Sequence, residues 1–158
     1  MRHRVACYIP CIALIVMALS LLAGCSAPDK GNSALDFYFD RDGGTVNGPF
    51  GVRIVIPMDA VTNTCNAGMT FSKSAPAPKP AGTELTITAW LSLEEGCNPL
   101  LKPATLIMPL STSAINPKGM FSPEPVGEWT SIPALTNDDG LVMMEIDRSG
   151  YYTFISEE

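Results

Sequence analysis

The sequence predicts an all-β fold, a single antiparallel β-sandwich, on three observations. Apolar residues recur at period two in several short runs, clusters of Gly, Pro, Asn and Asp separate those runs, and no segment from Leu35 onward carries a long apolar stripe at helical period. Alternation sends successive side chains to opposite faces of a strand, so a run with one apolar face must bury that face against a second layer. About eight such runs, with turn signals roughly every ten residues, suit two packed sheets.

The elements follow in order. Leu35-Asp36-Phe37-Tyr38-Phe39 alternates and is rich in aromatics, and Asp42-Gly43-Gly44 then turns the chain. Phe50, Val52, Ile54 and Ile56 recur at period two and read as a half-buried strand that Pro57 ends. Residues 68–74 form a weaker strand. In Ala75-Pro76-Ala77-Pro78-Lys79-Pro80-Ala81 the prolines donate no ladder hydrogen bonds, so this segment is predicted to be an extended, stiff surface loop. After it, Leu85, Ile87, Ala89, Leu91 and Leu93 mark one face of a long strand, with Glu84, Thr86, Thr88, Trp90 and Ser92 on the other. Residues 104–110 make a further strand, and the proline-interrupted stretch 111–127 has room only for short pieces. Three terminal strands are predicted at 128–132, 141–146 and 151–155, with Asn137-Asp138-Asp139-Gly140 and Ser149-Gly150 as turns.

Ahead of these strands lies an export signal. Met1-Arg2-His3-Arg4 is a charged start, Val5 to Leu22 is an apolar run, and Leu22-Ala23-Gly24-Cys25 closes it. This ending resembles the lipobox of bacterial lipoproteins. The resemblance implies cleavage between Gly24 and Cys25, diacylglycerol on the Cys25 thiol with further acyl chains such as palmitate, and a domain tethered to a membrane of the cell envelope and facing outward. The alternative is an uncleaved transmembrane anchor, since 5–24 is about long enough to cross a bilayer. A plain anchor has no reason to end on Gly-Cys. Residues 26–34, with Pro28, Gly31 and Asn32, complete a lipidated flexible tether over 25–34, which leaves 35–158 for the sandwich.

Processing changes the composition. Loss of residues 1–24 leaves 158 − 24 = 134 residues, suited to one domain, and shifts the net charge from −6 to −8 because Arg2 and Arg4 depart. Such acidity disfavours nucleic acid, which needs clustered cations, and direct docking on anionic lipid. Cys7 and Cys11 leave with the leader and Cys25 carries lipid, so Cys65 and Cys97 remain as the single possible disulfide pair, with two buried free thiols as the alternative. The only histidine, His3, is also discarded. That removes Ser-His and Cys-His nucleophile pairs and imidazole metal sites.

Within the domain, Gly43-Gly44-Thr45-Val46 followed by Gly51-Val52-Arg53-Ile54-Val55-Ile56-Pro57-Met58-Asp59-Ala60-Val61 resembles the opening of ZU5 domains. Leu101-Lys102-Pro103-Ala104-Thr105-Leu106-Ile107-Met108-Pro109 resembles that family's mid-domain strand, and Glu128-Trp129-Thr130 with Ser149-Gly150-Tyr151-Tyr152 its closing strands. The resemblance runs from about residue 42 to 156. It implies a β-sandwich used for protein interaction, with no cofactor. Some ZU5-type proteins cut themselves at His-Phe-Ser, but Met120-Phe121-Ser122 and Thr70-Phe71-Ser72 lack the histidine. The death and ankyrin modules of eukaryotic members are not found beside this domain, so their partners do not transfer.

Two other groups of residues bear on function. Asp36, Asp40 and Asp42 beside Gly43 are a fragment of a calcium loop, although Arg41 interrupts it, no closing Glu follows, and Asp-Gly is an ordinary turn pair. Trp90, Trp129 and Tyr151, with Tyr38 and Tyr152, offer a platform for stacking on sugar rings, against the alternative that they fill the core. Ser111-Thr112-Ser113 has no activating base in view. The expected function is therefore a non-enzymatic module that binds or scaffolds an envelope or secreted protein, with a carbohydrate-binding module as the alternative.

Overall fold

The computed structural model describes residues 33–76, 78–110, 116–136 and 139–156. Gly24, Cys25, the tether up to residue 32, Ser111-Thr112-Ser113 and the Asn137-Asp138 half of the predicted turn lie outside the described residues.

The described residues form two antiparallel sheets packed as a sandwich. One runs β1 (Ser33–Phe39), β4 (Cys65–Ser72), β6 (Thr88–Leu93), β12 (Gly150–Ser156), β8 (Pro117–Ser122), β9 (Thr130–Ile132), and the short β5 (Thr83–Glu84) also pairs with β12. The other runs β10 (Ala134–Thr136), β11 (Leu141–Ile146), β7 (Ala104–Pro109), β3 (Arg53–Ile56), β2 (Gly44–Asn47). Period-two alternation places the core where the sequence predicts it. Phe39, Met69, Phe71, Leu91, Tyr152 and Phe154 from the seven-stranded sheet meet Ile54, Ile56, Leu106, Met108, Val142 and Ile146 from the five-stranded one.

The differences from expectation have local causes. Phe50 does not open a strand; Pro49, Phe50 and Gly51 form a 3-10 turn closed by Gly48 N–H to Val52 O (2.8 Å), and Phe50 at its tip is exposed with φ of 58°. The tether gives way to strand two residues early, since Ser33 and Ala34 pair with Phe71 and Thr70. Strand β4 starts at Cys65, ahead of the expected residue 68, because its partner β1 extends the ladder to Phe39↔Cys65. The long strand expected over 84–93 is split. At the break the Thr86 hydroxyl accepts the Phe154 N–H (3.3 Å), replacing a backbone carbonyl in the ladder. Beyond Thr130–Ile132, Pro133 interrupts the ladder and Ala134–Thr136 resumes in the opposite sheet.

Cys65 and Cys97 form a disulfide, with Cα atoms 6.0 Å apart. Cys97 lies in a 3-10 turn, Glu95–Cys97, just after β6. Beside the bridge the Glu94 N–H donates to Asn66 O (3.0 Å), while the Asn66 amide and backbone N–H both donate to Glu94 Oε2 (3.0 and 3.2 Å). This end of the β4–β6 pair is therefore held covalently and by three hydrogen bonds. At the start of β12, the buried Tyr152 hydroxyl donates to Arg148 O at 2.6 Å, four residues upstream, pinning the turn that precedes the strand. Burial pushes the Tyr152 phenol well above the usual tyrosine value.

Candidate binding face

The outer face of the seven-stranded sheet holds Asp36, Tyr38, Trp90 and Tyr151 of the residues singled out in the sequence, and register shows how they align. Ala34, Thr70, Trp90, Tyr151 and Ser122 are successive partners across β1, β4, β6, β12 and β8. One step along β4 lies Asp36↔Gly68↔Ser92, and one further step Tyr38↔Asn66. In the other direction lies Ser72↔Thr88. An outer face left to solvent should be exposed throughout, but this one is not.

Half of it is covered. Thr88, Thr153, Ile155, Met120 and Ser122 face outward by parity yet are buried. The proline-rich segment provides the cover: Ala75 and Pro80 are buried, and the backbone of Gly82 packs on Ile155 and Ser156. Glu84 fastens the segment by accepting the Ala75 N–H on Oε2 (3.1 Å) and pairing with the Lys79 ammonium on Oε1 (3.2 Å). Trp129 fastens it from the other side, its indole N–H donating to Pro78 O at 2.7 Å. The expected surface loop is thus a strap. Residues 123–129 close over Ser122, whose hydroxyl donates to Glu124 O (2.8 Å).

The uncovered half is a trough. Two hollows of about 640 and 410 Å³ meet at Thr70 and Trp90, which border both. The larger is edged by Asp36, Tyr38, Asn66 and Glu94 over a floor at Gly68 and Ser92. Gly68 leaves that floor bare, and the Asp36 carboxylate leans over it, 3.1 Å from where a β-carbon would stand. The smaller is edged by Ser72, Ser74, Pro76, Thr88 and Tyr151. Thr88 is 1% exposed and its hydroxyl has no hydrogen-bond partner among the described residues. Buried hydroxyls are ordinarily satisfied; the Thr153 hydroxyl, away from both hollows, is in the same state.

The expected aromatic platform is only partly assembled. Trp90 and Tyr151 come together, ring centroids 4.4 Å apart and inclined at 45°. Tyr38 stands at the rim of the larger hollow and is 77% exposed. Trp129 is instead engaged by the strap, and Tyr152 points the opposite way into the core, its ring tilted at 39° to that of Phe121 with centroids 5.1 Å apart. Parity separates Tyr151 from Tyr152, and a platform using both is ruled out by that geometry.

The three aspartates are not gathered either. Asp36 sits on the outer face of β1, while Asp40 Oδ1 accepts the Asp42 N–H (3.0 Å) and shapes the turn before Gly43. Among the described residues no three His, Cys, Asp or Glu side chains converge as a metal site. Arg41 serves that same turn, donating to Asp59 Oδ1 (2.7 Å), with Lys102 on Asp59 Oδ2 (3.3 Å). Asn66, Gly68, Thr88 and Glu94 were not singled out in the sequence. Gly68 carried a usable signal, because glycine inside a strand often marks a close approach.

Compared with known proteins, the chain matches no family profile and no curated protein sequence.

Proposed function

We propose that the protein is a lipid-anchored lipoprotein of the bacterial cell envelope whose ZU5-like sandwich acts as a non-enzymatic protein-binding or scaffolding module. The observation that carries this reading is the trough on the half-covered outer face. A strap held at both sides leaves an open trough of two joined hollows beside a disulfide-clamped strand pair, a surface formed before any partner arrives. The lipobox residues support the anchor: each buried methylene of the lipid contributes about 0.8 kcal/mol, and two or more chains are needed for a stable hold.

A carbohydrate-binding reading draws on the Trp90 and Tyr151 pair, of which Trp90 borders both hollows and Tyr151 the smaller one. Affinity capture decides between the two. The wild-type chain should retain a defined envelope protein, soluble glycans should not displace it, and Trp90→Ala should not reveal a lost polysaccharide affinity. Mass spectrometry tests the anchor on the same material: an acylated Cys25 at the N-terminus is expected, and an unmodified Cys25 in an uncleaved chain would refute it.

A further inference from the structure

We infer that the trough takes an extended, basic protein segment, whose Lys or Arg side chains meet Asp36 and Glu94. The inference rests on the module reading above and specifies the chemistry of its partner.

Charge is the first argument. Asp36 and Glu94 edge the larger hollow, and among the described residues no Lys or Arg borders either hollow. Residues 25–158 carry a net charge of −8, which favours the approach of a cationic partner to the protein as a whole. Aromatic faces add to it: Tyr38 and Trp90 flank the carboxylates, and an ammonium or guanidinium favours such faces.

Shape supplies the length. From Asn66 to Ser72 the trough follows six steps of β4, about 20 Å at roughly 3.3 Å per residue, which matches an extended segment of about six residues. Asp36 stands at the level of Gly68, and Glu94 is held at the level of Asn66. That two-residue offset is about 7 Å, the spacing of alternate side chains on an extended chain. At the other end Thr88 lines the smaller hollow, its buried hydroxyl without a hydrogen-bond partner among the described residues. A neutral glycan fits less well, since Trp90 is tilted onto Tyr151 and Trp129 is engaged by Pro78, leaving no broad flat platform.

The test uses the full mature lipoprotein in detergent micelles and three fluorescent decapeptides: alternating Lys-Thr, Gln-Thr and Glu-Thr. The Lys-Thr peptide should bind at least tenfold more tightly than the others, and binding should weaken as salt is raised. Asp36→Asn with Glu94→Gln should weaken it at least tenfold at unchanged melting temperature. Glu145→Gln, on the outer face of the other sheet, should change it less than twofold. Equal binding of Lys-Thr and Gln-Thr, equal effects of Glu145→Gln and the double variant, or displacement by soluble chitohexaose would each overturn the inference. Affinity capture from envelope extract separates the two levels. A protein captured equally by wild type and the double variant removes the basic-segment inference and leaves the module reading standing. No captured protein at all removes the module reading itself.

Discussion

Replacing Cys65 and Cys97 together by alanine probes the clamp at the end of the trough. The bridge spans 32 positions, so it removes about 2.1 + 1.5R ln 32, or roughly 12 cal/mol/K, from the entropy of the unfolded chain, which is about 3.7 kcal/mol at 25 °C. Both sulfurs are buried, Cys65 fully and Cys97 at 8% exposure, so their loss adds a packing cost of the same sign. The expected total is about 4–5 kcal/mol, equivalent to a fall in Tm of roughly 12–20 °C for a domain of this size. Urea unfolding followed by tryptophan fluorescence measures the difference, and thiol labelling of the denatured, unreduced wild type confirms the starting state. A loss below about 1 kcal/mol, or two reactive thiols in the wild type, would refute the reasoning. The variant should also speed amide exchange at Asn66 and Glu94, whose mutual hydrogen bonds lie beside the bridge.

Three further perturbations test other parts of the fold. Tyr152→Phe removes the 2.6 Å bond to Arg148 O and should cost about 1–2 kcal/mol in a denaturant melt. Because burial raises the Tyr152 phenol in the folded state, its contribution is complete below pH 10.0, the unfolded value, and is lost as pH climbs above it; wild type should therefore lose stability more steeply than Tyr152→Phe in strongly alkaline buffer. Gly43→Ala forces a β-carbon toward the carbonyls of Ile56 and Pro57 at φ of +70°, and should destabilise by about 1–3 kcal/mol; a change within 0.5 kcal/mol would contradict that geometry. Trp129→Phe deletes the bond to Pro78, and hydrogen exchange or limited proteolysis should show faster opening of 73–82 while the core stays protected; an unchanged rate would mean the indole does not hold the strap.

Much of the sandwich was legible because each strand buries one face, and alternation records that directly. Leu35, Phe37 and Phe39, or Val142, Met144 and Ile146, announce both strand and face. Short strands were not legible in the same way. Ala134–Thr136 is three residues long, set by a ladder to Val142–Met144 distant in sequence, and Phe50 looked like strand until Pro49 and two flanking glycines folded it into a turn. Strand parity correctly placed Trp90 on the outer face but carried no information on what covers that face. The cover is held by Lys79 pairing with Glu84 and by Pro78 meeting Trp129 about fifty residues away, a contact that only tertiary structure creates. For the same reason Thr88, which falls on the polar side of its strand in the sequence, is buried. Asn66 and Glu94 joined the candidate site only once β4 and β6 were paired.

The central claim is that the uncovered half of the outer face is where the partner binds. Site-specific photocrosslinking tests it directly, with a crosslinking residue placed in the full chain either at Ser92, exposed on the trough floor, or at Val55, exposed on the opposite sheet. The account predicts one defined envelope protein captured from Ser92 and none from Val55. Capture from Val55 alone, or from neither position, would contradict it.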